Sequence, residues 1–526
     1  MKQAEEKEIK YPVGIQNFSK LREGGYMYVD KTRIIYELIR NSGYYFLSRP
    51  RRFGKSLMLS TLEAYYQGRR DLFKGLALES LAENWEPCPV LHLDLNNGNY
   101  RDVEDLENVL DYHLRGWEKE YDIPASDAEQ WSLPLRFATV IRRAFEMSGS
   151  RVAILVDEYD KPMLNAVGDE TLAENFRSIL KAFYSNLKTM DRYIRIGVMT
   201  GVARFSKISI FSDLNNLRDI SFEDVFSSIC GITSDELTSY FADGIQALAM
   251  KYGKSAEEIH KDLAVNYDGY HFSINSPGIY NPFSLMNVFA SSEIRSYWFE
   301  SGTPSFLLKL VGRSGRKLED ISNVEIGEST LVSAGITTTD PIPALYQSGY
   351  LTIKGYDPEF KIITLGYPNR EVKEGFLKFL LPHYVNMEDS DNAMYIHRFV
   401  MDVRNGDPRA FMHRLAGLVA CVPYSEKGSA EAHFQNVCYL IFTLMGYFTR
   451  MEQRTSDGRI DLTVETDKYV YIFEFKTNST ASAAIDQIFR RQYWLPYVHS
   501  GKKIFLIGAN FNTKTRRISE YEIKTP

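Results

Sequence analysis

Gly54, Lys55 and Ser56 in the stretch RPRRFGKSL, residues 49–57, match the end of the phosphate-binding pattern G-x-x-x-x-G-K-[ST]. A lysine in this place reaches the β- and γ-phosphates of a nucleotide, and a following hydroxyl ligates Mg²⁺. The first glycine of the pattern is absent. Arg49 stands there, and Pro50, Arg51 and Arg52 follow where small residues are expected. The candidate nucleotide contacts of the loop are Arg49, Arg52, Phe53, Gly54, Lys55, Ser56 and Leu57. Arg49 has three readings. Its guanidinium adds charge beside the phosphate, or pairs with an acid such as Asp157 or Asp160, or the residue costs on the order of 1 kcal/mol where glycine would relax a positive φ. Pro50 pushes Arg49 toward an extended backbone, so the first turn is expected to differ from the general loop.

A phosphate loop needs an acid to hold the cation and another to polarise water. RVAILVDEYDKP supplies both: the apolar run Val152–Val156 ends in Asp157, suited to Mg²⁺, and Glu158, suited to polarising an attacking water. Further on, YIRIGVMTGVARF ends a second apolar run at Thr200, positioned to contact a γ-phosphate or the lytic water. Arg204 follows as a candidate charge sensor, and if it acted across a subunit boundary the protein would be a homo-oligomer.

A second constellation lies near the C-terminus. In GRIDLTVETDKYVYIFEFKT, an Asp467-Lys468 turn pairs Thr466 with Tyr469 and sets Asp461 opposite Glu474. Strand alternation then carries Lys476 onto the same face as Glu474. Gathering these charges on otherwise apolar strands is costly without a cation or polar ligand to compensate. Carboxylate oxygens suit Mg²⁺ or Mn²⁺, and Lys476 would orient a nucleophile or stabilise charge developing on a phosphodiester.

The elements that must position these groups are legible as patterns. GYYFLS (residues 43–48) is an aromatic strand running into the loop, and Leu57, Leu59, Leu62 and Tyr66 recur at near-helical spacing behind it. Strand, loop and helix in that order are what a phosphate loop requires, because free amides at a helix N-terminus favour an anion. VLHLDL (90–95) adds a further buried strand. Near-continuous apolar strands indicate a parallel sheet with ligands beyond its carboxyl ends. ELTSYFADGIQALAMKYG and PFSLMNVFASSE have helical periodicity, and the aromatic blocks YDGYHF and YNPFS are expected to pack rather than stack on a ligand. In PALYQSGYLTIKGYDPEFKIITLGYPNREVKEGF a short helix and a hairpin resemble the end of a winged-helix module, expected here as a packing element. EAHFQNVCYLIFTLMGYF is a helix with Glu431 near its start, and GKKIFLIGANF a late core strand.

The blocks YPVGIQNF, YVDKT, FLSRPRRFGKSLMLSTL, ILVDEYDKP, TGVARFSKISIFSDLNNLRDIS and NYDGYHF together resemble the AAA-ATPase-like family of prokaryotic proteins over about residues 8–290. In that family the arginine-containing loop is the usual form. Glu431, Asp461, Glu474-x-Lys476 and Gln487 in AIDQIFRRQY resemble the PD-(D/E)xK nuclease superfamily over about residues 390–526. The resemblance implies Asp461 and Glu474 as metal ligands, Lys476 as catalytic lysine, and Glu431 and Gln487 as supporting residues, Glu431 also near the metal. Every position of the core motif is occupied.

The expected fold class is α/β: a P-loop NTPase core over 1–235, a helical and winged-helix-like region over 236–385, and a restriction-endonuclease-like α/β domain over 386–526. The expected function is binding and hydrolysis of ATP with Mg²⁺, coupled to metal-dependent cleavage of nucleic acid, DNA ahead of RNA. The alternative is a nucleotide-gated signalling protein whose last domain binds nucleic acid without cutting. A net charge of −6 excludes a globally basic DNA-binding chain but leaves room for a local patch such as Lys502, Lys503, Lys514, Arg516 and Arg517. Cys88, Cys230, Cys421 and Cys438 form no C-x-x-C pair, so neither a zinc ribbon nor a disulfide framework is expected. With no apolar run near the ~20 residues that span a bilayer, and a charged N-terminus lacking a secretion signal's apolar stretch, the expectation is a cytoplasmic protein without a membrane partner.

Overall fold

The computed structural model describes residues 9–124, 130–204, 216–301, 305–314, 316–333, 340–385, 392–420, 430–446, 450–456 and 459–526. By compactness the chain divides into two units. The first comprises Met1–Leu310 with Asn323–Lys373, the second Val311–Ser322 with Glu374–Pro526.

The first unit is built on a parallel sheet of β1 (Gly43–Ser48), β2 (Val90–Asp94), β3 (Val152–Asp157), β4 (Ile194–Gly201) and β5 (Leu217–Asp219) in the order β2-β3-β4-β1-β5. All six residues of β3 are buried, which is why its sequence is a continuous apolar run with no alternation. Leu91, Leu93, Ile154 and Val156 meet Leu110, Leu114, Phe137, Val140, Phe176 and Leu180 from the helices Val103–Glu120, Leu133–Ser148 and Glu170–Tyr184 in one core. Chain order and spatial order differ in one respect that matters for chemistry: β4 lies between β1 and β3. Leu47 pairs with Thr200 and Ser48 with Gly201, while Val156 pairs with Met199. The carboxyl ends of the three strands therefore finish side by side.

After the sheet, the helices Ser234–Tyr240, Ala242–Tyr252, Ala256–Tyr267 and Pro282–Ser291 pack around Leu237, Phe241, Leu263, Leu285 and Phe289. Thr233 and Ser255 start two of them through reciprocal capping boxes with Glu236 and Glu258. The expected helix and hairpin are Ile342–Gln347, β7 (Thr352–Asp357) and β8 (Ile362–Gly366). A strand not anticipated from sequence, β6 (Val324–Gly327), pairs antiparallel with β8 to give the order β6-β8-β7. No helix among the described residues is long and apolar enough to cross a membrane.

The second unit carries a mixed sheet of β9 (Arg450–Ser456), β10 (Arg459–Glu465), β11 (Tyr469–Thr477), β12 (Lys503–Asn512) and β13 (Arg517–Lys524), ordered β13-β12-β11-β10-β9. Its two faces are covered by different helices. Phe473 and Phe475 of β11 meet Phe434 and Phe442 of the helix Ala430–Met445, with Phe434 stacked on Phe511 at 4.3 Å. Val470 and Ile472 face Ile485 and Ile488 of the helix Ala481–Arg491. The architecture is thus α/β in both units, with a parallel sheet in the first.

Candidate functional site

The phosphate-loop region begins where β1 ends. The Arg49 amide donates to the Gly201 carbonyl at 3.1 Å, tying the loop to the end of β4. The chain then turns through Arg52 at φ +69° and Gly54 at φ +98° into the helix Lys55–Tyr66. Both are left-handed conformations that glycine tolerates and side-chain-bearing residues adopt at a cost of about 1 kcal/mol or more. The strain expected at Arg49 is not there, since its φ is not positive. The positive φ falls on Arg52 instead, later in the loop than the first glycine of the general pattern.

Lys55 is 3% exposed, and its Nζ donates to the carbonyls of Arg49 at 3.2 Å and Pro50 at 3.4 Å. The same Nζ lies 3.3 Å from Glu158 Oε1. Asp157 Oδ1 accepts from Thr200 Oγ1 at 2.6 Å and from the Glu158 amide at 3.1 Å. Glu158 itself sits at φ +51°. Lys55, Asp157, Glu158 and Thr200, separated by up to 145 positions in the chain, are joined because β4 is inserted between β1 and β3.

Beside them opens a cavity of about 140 Å³. One wall is Arg52, Gly54, Lys55, Ser56, Leu57 and Glu158; the other is Pro12, Gly14, Ile15 and Gln16 with Pro282, Phe283 and Met286. It shares Pro12, Gly54, Leu57, Pro282 and Met286 with a second, largely apolar cavity that reaches Phe53, Met58 and Ile229. The arrangement is polar and cationic at the loop and apolar beyond it. Sequence reasoning missed the far wall. YNPFS packs as expected, Tyr280 being buried in the helical core with Phe283 against it, and Phe283 also lines the cavity. YDGYHF does pack: Phe53 meets Tyr270 at 4.8 Å and Phe272 at 5.3 Å, both edge-on.

Two arginines proposed as nucleotide contacts point elsewhere. Arg49 is 1% exposed, and its guanidinium donates to the carbonyls of Ser48 (2.8 Å), Ser221 (2.9 Å) and Phe226 (2.9 Å). It also lies 4.2 Å over the Phe272 ring. Burial pushes its pKa down to about 10, so it stays charged at neutral pH. It does not reach Asp157 or Asp160; it braces the loop from beneath. Arg204 lies 3.8 Å over Phe222, with Nη1 3.6 Å from Asp219 Oδ2, and its amide donates to Gln347 Oε1 at 2.9 Å. Its charge is engaged within its own chain. Residues 205–215, inside the block from Thr200 to Ser221, lie outside the described residues, as do Cys421 and Gly458.

Asp160 is a further buried acid, read from sequence only as an alternative partner for Arg49. Its Oδ2 accepts from the amides of Val202 at 3.0 Å and Ala203 at 2.5 Å, joining the end of β3 to the chain leaving β4. Burial, followed by the charge of Glu158, pushes its pKa up to about 7. Gly201 is required here: a Cβ at that position would come within 2.5 Å of Asp160 Oδ1.

In the second unit the expected hairpin register is present. Asp461 pairs with Glu474, and the Thr466 amide donates to the Tyr469 carbonyl at 2.8 Å. Glu474 is fully buried, and Lys476 Nζ donates to Glu474 Oε1 and to Gln487 Oε1, both at 2.6 Å. Gln487 is presented by the helix that covers this face, started by Thr480, whose side chain accepts from the Ala483 amide. Glu431 is placed differently. Its Oε1 accepts from Thr477 Oγ1 at 3.4 Å, beyond Lys476 at the strand end, on the helix that covers the opposite face. The side chain of Asp461 lies outside the description. Among the described residues no three His, Cys, Asp or Glu side chains gather as a metal site. The donor chemistry, a buried Glu474 carboxylate with Asp461 at the facing register position, nevertheless fits a hard divalent cation. Of the basic C-terminal patch, Lys502 is held by Glu465 at 2.6 Å and Lys503 lies 5.0 Å over Phe505.

Comparison with known proteins agrees with this geometry. Residues 12–211 match the model of the AAA-ATPase-like family, described as predicted AAA-ATPase, and residues 429–521 match the PD-(D/E)XK nuclease superfamily. An uncharacterized protein in the vnfD 5' region of Azotobacter chroococcum mcd 1 is 34% identical over 529 residues, covering 98% of this chain and 99% of that protein. No solved structure matches the chain.

Proposed function

The chain belongs to the AAA-ATPase-like family and ends in a domain of the PD-(D/E)XK nuclease superfamily, and from that premise we propose that it binds and hydrolyses ATP to control cleavage of nucleic acid, DNA ahead of RNA. The observation that carries the first half is the meeting of Lys55, Asp157, Glu158 and Thr200 at three adjacent strand ends beside a cavity. Triphosphate oxygens take Lys55 from Glu158, and the freed carboxylate accepts a proton from an attacking water. Thr200 holds Asp157 in one orientation through its hydroxyl. The apolar part of the cavity suits a base. At the second site Lys476, steadied by Gln487, offsets negative charge developing on a phosphodiester. Ser56 and Asp157 in one unit, and Glu474 and Asp461 in the other, would hold a divalent cation, which would supply Lewis-acid charge against phosphate oxygens.

One observation favours the second reading, in which nucleic acid is bound without being cut. Glu431 engages Thr477 and not the Glu474–Lys476 pair. A matched assay decides: single-stranded and duplex DNA and RNA are incubated with Mg²⁺ or Mn²⁺, with and without ATP. Lys476→Ala is expected to abolish cleavage with ATP binding intact, and Lys55→Ala to abolish ATP binding. Wild-type protein that binds nucleic acid but cuts none under any condition establishes the second reading and overturns the first.

A further inference from the structure

Among the described residues, Arg49, Arg51, Arg52 and Lys55 of the loop and Arg204 beyond β4 are the basic side chains to weigh against a terminal phosphate. Arg49 is committed to three carbonyls, Arg204 to Asp219 and Phe222, and Lys55 to Glu158. Arg51 is not among the residues that line the cavity. Arg52 is. It is exposed, makes no ion pair among the described residues, and its guanidinium lies 4.7 Å over the ring of Phe283 on the facing wall of the same cavity.

We propose that Arg52 is the residue by which this pocket tells a nucleoside triphosphate from a diphosphate, and that Phe283 is the seat it occupies until the terminal phosphate draws it away. The proposal rests on the ATP-binding reading above and assigns the discrimination to one side chain of the same chain, so no second copy is needed to supply it.

Three features support it. Arg52 adopts φ +69°, where its backbone is strained and a glycine would be relaxed, and backbone strain of this kind clusters at ligand sites. A guanidinium over an aromatic ring in water is held by only about 0.5–1 kcal/mol, whereas a charge-assisted contact with phosphate is worth roughly 1.5–3 kcal/mol. A γ-phosphate therefore wins the exchange. Third, Lys55 and the amides at the helix start would already meet the β-phosphate, so the added cation would matter most when the additional charge of a triphosphate arrives.

The test uses the full chain, with ATP and ADP affinities measured by calorimetry. Arg52→Gly removes the guanidinium while relieving the left-handed backbone, so folding is preserved, as a melting curve will verify. The expected result is an ATP affinity lowered about 5- to 30-fold, the phosphate contact less the ring contact it replaces, with ADP affinity changed less than about threefold. Phe283→Leu, which removes the seat, is expected to raise the ratio of ATP to ADP affinity by about two- to fivefold. An equal loss for both nucleotides in Arg52→Gly, or no loss, overturns the assignment while leaving the pocket standing. Wild-type protein that binds neither nucleotide overturns the pocket reading and the assignment together.

Discussion

Replacing Arg49 by glycine restores the general phosphate-loop pattern in sequence, and on motif grounds alone it should improve nucleotide binding. The structure says the reverse about stability and nothing in favour of affinity. The Arg49 guanidinium donates to the carbonyls of Ser48, Ser221 and Phe226 and lies over Phe272, with the side chain 1% exposed. Truncation strips the partner from carbonyls of Ser221 and Phe226, each at about 1–3 kcal/mol when left bare in a buried site. It also removes a desolvated cation–π contact of about 2 kcal/mol. Against this, the variant no longer buries a charge, whose cost is visible in the lowered pKa of about 10. The net expectation is a loss of about 3–5 kcal/mol, at the upper end for single substitutions.

For a unit of roughly 360 residues, with an unfolding entropy near 2.1 cal/mol/K per residue, that loss lowers the melting midpoint by about 4–7 °C. Differential scanning calorimetry resolves a shift of this size. Arg49→Lys, whose ammonium cannot span three carbonyls, should fall between. ATP affinity of the folded fraction should stay within about threefold, because Arg49 does not line the cavity. An unchanged midpoint together with a large loss of ATP affinity would refute the reasoning and return the guanidinium to the phosphate.

Two further outcomes follow from the geometry. Asp160 holds a proton in the folded chain up to about pH 7 that an unfolded chain releases near pH 3.9, so it contributes stability fully below about pH 4 that is lost as pH rises through 7. Asp160→Asn keeps an acceptor for the Val202 and Ala203 amides, and its urea midpoint should gain on wild type between pH 5 and pH 8; identical pH slopes would exclude this role. Gln487→Leu leaves Lys476 held by Glu474 alone, and cleavage should fall about 10- to 100-fold with nucleic-acid affinity unchanged; equal losses in both would make Gln487 a binding group.

The parts of this molecule that were legible in sequence are those whose partners lie close in the chain or repeat a simple period. The span of β1 was readable because an apolar run stops at Arg49, and the pairing of Asp461 with Glu474 because a two-residue turn leaves one register for alternating strands. Arg49 was not readable, because its partners are backbone carbonyls at residues 221 and 226 that no residue type marks. The far wall of the cavity was hidden for a different reason. Pro282, Phe283 and Met286 are apolar residues on a helix, and apolar residues on helices usually pack. Glu431 was placed by motif order alone, which does not specify the rotation of its helix against the sheet; the structure turns it toward Thr477.

Lys55, 3% exposed, would be a buried and uncompensated cation in the nucleotide-free protein were it not for Glu158 at 3.3 Å; breaking such a pair costs about 3–5 kcal/mol. On the proposed function Glu158 would serve twice: it neutralises Lys55 through their ion pair, and it would accept a proton once phosphate had taken Lys55 from it. Its φ of +51° is left-handed, as is the +69° of Arg52 on the same cavity. Glu158→Gln should then do more than stop hydrolysis. It should lower the melting midpoint of the nucleotide-free protein, and saturating ATP should recover most of that loss, because phosphate replaces the missing carboxylate as the partner of Lys55. A variant equally destabilised with and without ATP would mean that Lys55 and Glu158 remain together when the nucleotide is bound, and the carboxylate would then be a structural partner and not the base.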